Sequence, residues 1–499
     1  MKHSRRNCIL LLLPLLCSCE PSGNSSESQV TPSSFDLSIY ALNDYHGAVR
    51  GGSYYPGIVS TAGVLKALDK EKTILLNSGD MWQGSIESNY NWGELLTKCF
   101  KNIGFDAMTI GNHDFDWGDQ YLKANEEWFG EKFLGANIYH YDWDNKQTLD
   151  FASDVASPYK IVERGGFKIG IIGTIGFQQI TSISSQFVEN YTFLDPISII
   201  KETSDQLRME KGCDAILLSH HGSQDELMGT GITSLSPISK ARYVDACFCA
   251  HTHRNESGQE NGVAFVQTNG YGASAARVDL RLEKKNGAVD VSTIRYNTNS
   301  SLRNGKDDEV QALVDSFAAI SDPAANEVLA TTNYDYMSRD LVSNLYARAI
   351  YEAAYEVDPT IFLAGGNNAR SDIYMANNKL TYGALYEGLP FHNQIVIADV
   401  KGSDLIREAP YLYLWRTEID GGFPKVEASK TYRVAVLDFV AYHCNEYREY
   451  DYYQTLETVQ ILEKNYRDIT ADYLRGLGSI KVEDYERYNG TANDASTLL

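Results

Sequence analysis

Between Phe35 and about Val291 the chain repeats one pattern: a short apolar run, a polar motif, then a helical segment. The runs are LSIYAL, TILLN, AMTIG, KIGIIG, AILLS and ACFCA. Each is too short for an isolated helix and rich in branched residues, which predicts buried strands. Between two of them Trp92, Leu95, Leu96, Cys99 and Ile103 recur at helical spacing, and Gly104 supplies a stop. Alternation of this kind predicts an α/β domain.

The polar motifs after these runs are rich in metal-binding residue types. They hold Asp44 and His46 in NDYHG, Asp80 in NSGDMWQGS, Asn112 and His113 in GNHDFD, His220 in SHHG, and His251 and His253 in AHTHR. Strand ends of an α/β sheet face one crevice, so residues remote in sequence converge there. A lone Asp or His at a strand end is usually a turn residue, but five such motifs in order are hard to assign to chance. A mixed His, Asp and Asn set suits borderline divalent ions such as zinc, manganese, iron or cobalt. Two ions bridged by one carboxylate sit about 3.5 to 4 Å apart, the spacing that clamps the attacking and leaving oxygens of an in-line phosphoryl displacement. Bridging needs an acceptor on both sides of one side chain, and Asp80 is the best candidate.

The formal net charge of -22, with no Lys/Arg-rich tract to offset it in the body of the chain, argues against a nucleic acid polymer as partner. A phosphoester substrate is anionic too, so bound cations must reverse the local field. Hydrophobic content of 43% marks a largely globular chain, and 499 residues are too many for a single core.

At the N-terminus, basic Lys2, Arg5 and Arg6 precede the apolar run Ile9 to Leu16, the form of an export signal. Leu16, Cys17, Ser18 and Cys19 resemble a bacterial lipobox. The expectation is a signal peptide over 1–19, a lipid anchor at Cys19, a flexible tether over 20–34, and a cell-surface or periplasmic protein that meets the membrane only through that anchor. Five cysteines follow position 19, an odd number that argues against a complete disulfide framework. Cys247 and Cys249 alternate along a predicted strand and suit core packing.

The first unit spans 35–297. Residues 298–330 read as a polar linker ending in an amphipathic helix, with Val310, Leu313, Val314 and Phe317 on one face. A second α/β unit follows over 331–487, opening on the helix-like SRDLVSNLYARAIYEAA and holding strand-like IFLAG, IVIADV and YRVAVLDFV. It closes on what reads as one helical stripe, Val459, Leu462, Tyr466, Ile469 and Tyr473, before a tail at 488–499. No internal repeat is found, and no oligomeric state is specified.

The ordered motifs resemble the calcineurin-like metallophosphoesterases, and more narrowly the bacterial 5′-nucleotidases, over nearly the whole exported chain. The resemblance implies a four-layer α/β/β/α catalytic domain joined to a smaller α/β substrate domain. It implies two divalent metal ions, one held by Asp44, His46, Asp80 and His253, the other by Asp80, Asn112, His220 and His251. Family spacing selects His220, leaving a supporting or packing role for His221. The resemblance also implies a dyad in which His113 lies near the substrate phosphate and Asp116 orients it; Asp114 stands where many relatives have Glu.

In the second unit AGGNNARSDI resembles the family's Gly-rich arginine motif and offers Arg370, with Asn367 and Asn368 where glycines are usual. By the same resemblance Phe391 in GLPFHN and Phe439 in LDFVAYHCNEY are the rings that sandwich a base, and Arg339 lies near, but not at, another arginine position. After Phe439 relatives carry an Asn-Gly-Gly-Asp-Gly turn, whereas this chain has Tyr442, His443, Cys444 and Asn445. The expected activity is phosphate release from a small phosphomonoester, a 5′-nucleotide first. Cyclic nucleotides or nucleotide sugars are the alternative substrates, and a surface-tethered binding protein on the same scaffold is the alternative class.

Overall fold

The computed structural model describes residues 33–52, 55–416, 426–445, 449 and 451–486. The expected signal peptide, Cys19, most of the tether and the tail lie outside the described residues. Among those described, no helix is long and apolar enough to cross a membrane.

Each of the six apolar runs contributes a strand. A five-stranded sheet runs in the order Ala288–Ser301, Ser274–Lys285, Ser34–Leu42, Thr73–Asn77, Ala107–Met108. A six-stranded sheet runs Glu256–Glu260, Val263–Gln267, Ala246–Phe248, Ala215–His221, Phe167–Ile175, Tyr159–Arg164. Branched residues from both, including Ile39, Ile74, Ile171, Leu217 and Val278, form one buried cluster between the sheets. Helices Gly57–Leu65, Glu94–Ile103, Asp119–Phe129 and Asp308–Ala325 cover the outer face of the first sheet; Pro196–Met209 covers the second. The layering is therefore α/β/β/α, and most of the central strands in both sheets are parallel, so their C-terminal ends open on one edge. Cys247 and Cys249 sit in the outer cluster of the second sheet, and all five described cysteines are free and buried.

The strand Ala288–Ser301 runs past position 297 because its hydrogen bonding to Ser274–Lys285 continues to Ser301. The helix Asp308–Ala325 then starts on Asp307, whose carboxylate accepts from the Val310 N–H, and it buries Val310 and Val314.

The second unit is built on a five-stranded sheet in the order Tyr413–Trp415, Leu363–Gly366, Thr431–Leu437, Gln394–Lys401, Glu457–Asn465. The helix Arg339–Val357, capped by Ser338, packs on it. The closing stripe differs from the sequence reading. Val459 and Leu462 belong to the edge strand Glu457–Asn465, and the helix starts only at Tyr466, where the Asn465 side chain accepts from Asp468 N–H. Pairing with Gln394–Lys401 captures the first half of the stripe as strand, a tertiary choice that local periodicity does not reveal.

Candidate metal centre and substrate cavity

Five of the expected ligands hold left-handed backbone: Asp44, His46, Asp80, His251 and His253, at φ between 45° and 72°. Non-glycine residues adopt this region at a cost, and such strain concentrates at functional sites. Sharp turns at the strand ends aim these side chains into the crevice. Gly111 makes room for them, since a Cβ there would lie 2.3 Å from Asp80 Oδ1.

Two groups of donor atoms result. Asp44, His46 and His253 form one and Asp80, His221 and His251 the other, each within 4.8 Å among themselves. Asp80 stands between them, its Oδ2 3.7 Å from His46 Nε2 and 3.3 Å from His221 Nε2. The Asn112 amide oxygen lies 3.0 Å from both His221 Nε2 and His251 Nδ1.

The two adjacent histidines lie otherwise than expected. Neighbours on a strand point to opposite faces, and on Ala215–His221 it is His221 that enters the centre. Its Nδ1–H donates to Ser78 O at 2.8 Å, which turns Nε2 toward Asp80 and Asn112. His220 faces away; its Nδ1 meets the Thr174 hydroxyl at 2.9 Å and its Nε2 lies 3.6 Å from Glu226. Adjacent histidines made the motif ambiguous in sequence, and only the strand's register resolves it.

Electrostatics fit the donor set to cations. Burial drives His251 down to about 4, and burial with the Arg370 charge drives His253 down to about 3. Burial, then Arg370, holds His46 well below the usual imidazole range. His46 Nε2 and His253 Nε2 lie 3.1 Å apart. Nearby, burial lifts Asp44 to about 6 against the pull of His221. Burial opposes a charged His221 ring, but Asp80 outweighs it and raises His221 to about 9, so a cation entering here displaces that proton; the mixed set of imidazole nitrogens, carboxylates and an amide oxygen is one that borderline divalent ions take.

Asp114, which the motif reading left without a task, braces these turns. Its carboxylate accepts from the N–H groups of Asp80 at 3.0 Å, Met81 at 2.9 Å and Gly111 at 2.8 Å. His113 N–H donates to Asp80 Oδ1 at 2.8 Å, and His113 Nδ1 donates to Asp116 Oδ2 at 2.8 Å. Burial opposes the charged His113 ring, but Asp116 and Asp80 outweigh it and raise its pKa.

A cavity of about 570 Å³ opens beside the dyad, walled by both units. Arg339, Arg370, Phe391 and Phe439 all line it, so the structure brings the expected substrate residues together. Phe391 stacks on His113 with ring centroids 5.5 Å apart. Its segment is held from below by buried Arg467, which donates to the carbonyls of Leu389, Pro390 and Phe391 at 3.1 to 3.2 Å. Phe439 meets His443 edge-on at 5.3 Å, and His443 stacks flat on Tyr452 at 4.0 Å while its Nδ1 donates to Asp451. His443, Asp451 and Tyr452 all line the cavity.

Residues 37–255, which hold the stacked sheets and both ligand groups, match the family model described as calcineurin-like phosphoesterase. Across both units the fold is that of the two-domain 5′-nucleotidases: the 5′-nucleotidase precursor of Thermus thermophilus superposes with a TM-score of 0.71 at 17% identity, over 89% of this chain and 97% of that one. In sequence the chain is 24% identical to Endonuclease YhcR of Bacillus subtilis over 77% of its own length, but spans only 33% of that protein. It is 26% identical to a 5′-nucleotidase of Vibrio parahaemolyticus over 52% of its own length and 50% of that protein's.

Proposed function

We propose that this chain is a dinuclear-metal phosphohydrolase that releases phosphate from small phosphomonoesters, with 5′-nucleotides as first substrates. The observation that carries the reading is the His113–Asp116 pair set beside two convergent ligand groups at the mouth of the cavity. In this reading Asp44, His46, Asp80 and His253 hold one ion, and Asp80, Asn112, His221 and His251 the other. When bound, such ions supply Lewis acidity toward the phosphoryl group and a nucleophile at neutral pH.

The chain's own residues do the rest. Asp116 fixes the His113 tautomer and favours its protonated form, so that Nε2 can donate a proton to the departing ester oxygen. The Arg370 guanidinium offers paired N–H donors to phosphoryl oxygens. Phe391 covers the dyad and, with Phe439, presents aromatic faces to the remainder of the substrate. The cavity volume lies in the range of small-molecule sites. Net charge of -22 sets the chain against a polymer substrate, although one relative is named an endonuclease.

Asp451 and the His443–Tyr452 stack favour keeping a second substrate class open: cyclic nucleotides or nucleotide sugars. We further propose export and lipidation at Cys19, tested by lipid labelling of the intact chain and of Cys19→Ala. For catalysis the test is phosphate release by metal-reconstituted protein from AMP, 2′,3′-cyclic AMP and UDP-glucose, beside His113→Ala. The variant should lose about a hundredfold or more of turnover with its metal content intact. Near-normal turnover would remove His113 from the mechanism, and inactivity on AMP would move the assignment to the second class.

A further inference from the structure

The residue nearest the first ligand group that neither the motifs nor the dyad account for is Tyr271. It sits at φ 52°, an unusual conformation for a bulky side chain, in the tight turn Gly270–Tyr271–Gly272 before the strand Ser274–Lys285. Both flanking glycines are needed: a Cβ at Gly270 would lie 2.9 Å from Asp44 O, and one at Gly272 2.5 Å from the Tyr45 ring. The strained turn is pinned to the metal centre, since Tyr271 N–H donates to Asp44 O at 2.6 Å. Its ring lies 5.4 Å from the ring of His46 and 5.3 Å from that of His253. Backbone strain held this firmly beside a reactive centre marks a position whose side chain is required where it is.

The hydroxyl shows what for. Arg370 reaches across from the second unit, and its Nη2 has two partners: Tyr271 Oη at 3.2 Å and His46 Nε2 at 3.1 Å. His46 Nδ1 already donates to Gln83 O at 2.9 Å, so Nε2 is the nitrogen left to accept a hydrogen bond or to hold an ion. It cannot both accept from Arg370 and bind an ion. Once a cation takes His46 Nε2, Tyr271 Oη is the protein acceptor that remains to Arg370 Nη2. A guanidinium beside two divalent cations is repelled by them, so an acceptor on the centre's own wall is needed to keep it facing the phosphate site.

We propose that Tyr271 is the positioning residue that holds Arg370 over the loaded metal centre, and that it thereby sets the affinity of this site for a phosphate group. The inference rests on the phosphohydrolase reading for the role of Arg370, but its test does not require turnover. Tyr271→Phe deletes only the hydroxyl and leaves the ring on the imidazoles and the backbone unchanged. Calorimetric titration of manganese-loaded protein with inorganic phosphate should show affinity about tenfold weaker in Tyr271→Phe, the scale of one hydrogen bond to a charged group. Metal content and the melting temperature of the metal-free protein should stay at wild-type values, which a merely structural role would not combine with weaker phosphate binding. Arg370→Ala should weaken phosphate at least as much, and Tyr271→Phe added to it should change nothing more.

Wild-type phosphate affinity in Tyr271→Phe, or full additivity with Arg370→Ala, overturns the inference. Unchanged affinity in Arg370→Ala overturns it together with the assigned role of Arg370. A wild-type protein that binds phosphate through both residues yet cleaves none of the esters would instead sink the enzymatic reading alone.

Discussion

Arg467 offers a quantitative test of how the cavity wall is held. The side chain is 2% exposed, and its nearest carboxylate, on Asp468, is 4.0 Å away. Its guanidinium lies 3.7 Å from the Tyr386 ring centroid, and its Nε–H donates to Tyr382 Oη at 3.2 Å. Its Nη1 faces three carbonyls with two protons, so those contacts count as two full bonds rather than three. In Arg467→Met the Pro390 carbonyl keeps the Asn89 amide as donor at 3.2 Å, while Leu389 and Phe391 lose theirs. Two buried carbonyls left unsatisfied cost about 1–3 kcal/mol each. The lost cation–π contact adds about 1 kcal/mol, offset in part because a buried charge no longer needs desolvation. The net expectation is a loss of about 4 kcal/mol, a large share of the roughly 5–15 kcal/mol of a typical domain. At roughly 2–4 °C per kcal/mol for a unit of this size, the melting transition of the second unit should fall by about 8–16 °C in scanning calorimetry. The KM for AMP should rise, because the backbone that carries Phe391 is no longer fixed. A shift of less than about 2 °C would refute the reasoning, since it would mean that water or another donor replaces Arg467 at no cost.

Other consequences can be measured separately. His221→Ala should bind one ion fewer per chain by elemental analysis, whereas His220→Ala should keep both ions; the reverse pattern would restore the family spacing. Chelation should lower the melting temperature of the first unit, because each ion bound only by the folded state stabilises it by about 2.7 kcal/mol at a hundredfold excess over its Kd; no change would count against a preformed centre. Asp279 is buried, which raises its pKa, but Ser38, Arg277 and Arg295 outweigh burial and lower it from 3.8. Its folded pKa being depressed, it contributes stability above about pH 3.8, lost as the pH falls through the folded value. Asp279→Asn should therefore be less stable than wild type at neutral pH, with the gap closing in more acidic denaturation series.

Much of the first unit was legible because its strands are buried on both faces and read as continuous apolar runs, each followed by a polar turn of fixed chemistry. Ile39, Ile74, Ile171 and Leu217 announce strands whatever they pack on, and the motif after each run can lie only at the strand's end. The second unit was less legible. Val459 and Leu462 keep helical spacing with Tyr466, yet an edge pairing draws them into a strand. Arg467, Asp114 and Tyr271 left no signal, because their roles consist of carbonyls, amides and a guanidinium supplied by distant parts of the chain.

The sequence by itself determined an α/β alternation and the chemistry of the ligand types at its strand ends. These follow from composition along short stretches, where burial and turn geometry are local. Which of two adjacent histidines enters the centre, what braces the ligand turns and where Arg370 rests were decided only by tertiary structure. Strand register, strained turns and contact between the two units fix the direction of a side chain, and direction is not written in residue order.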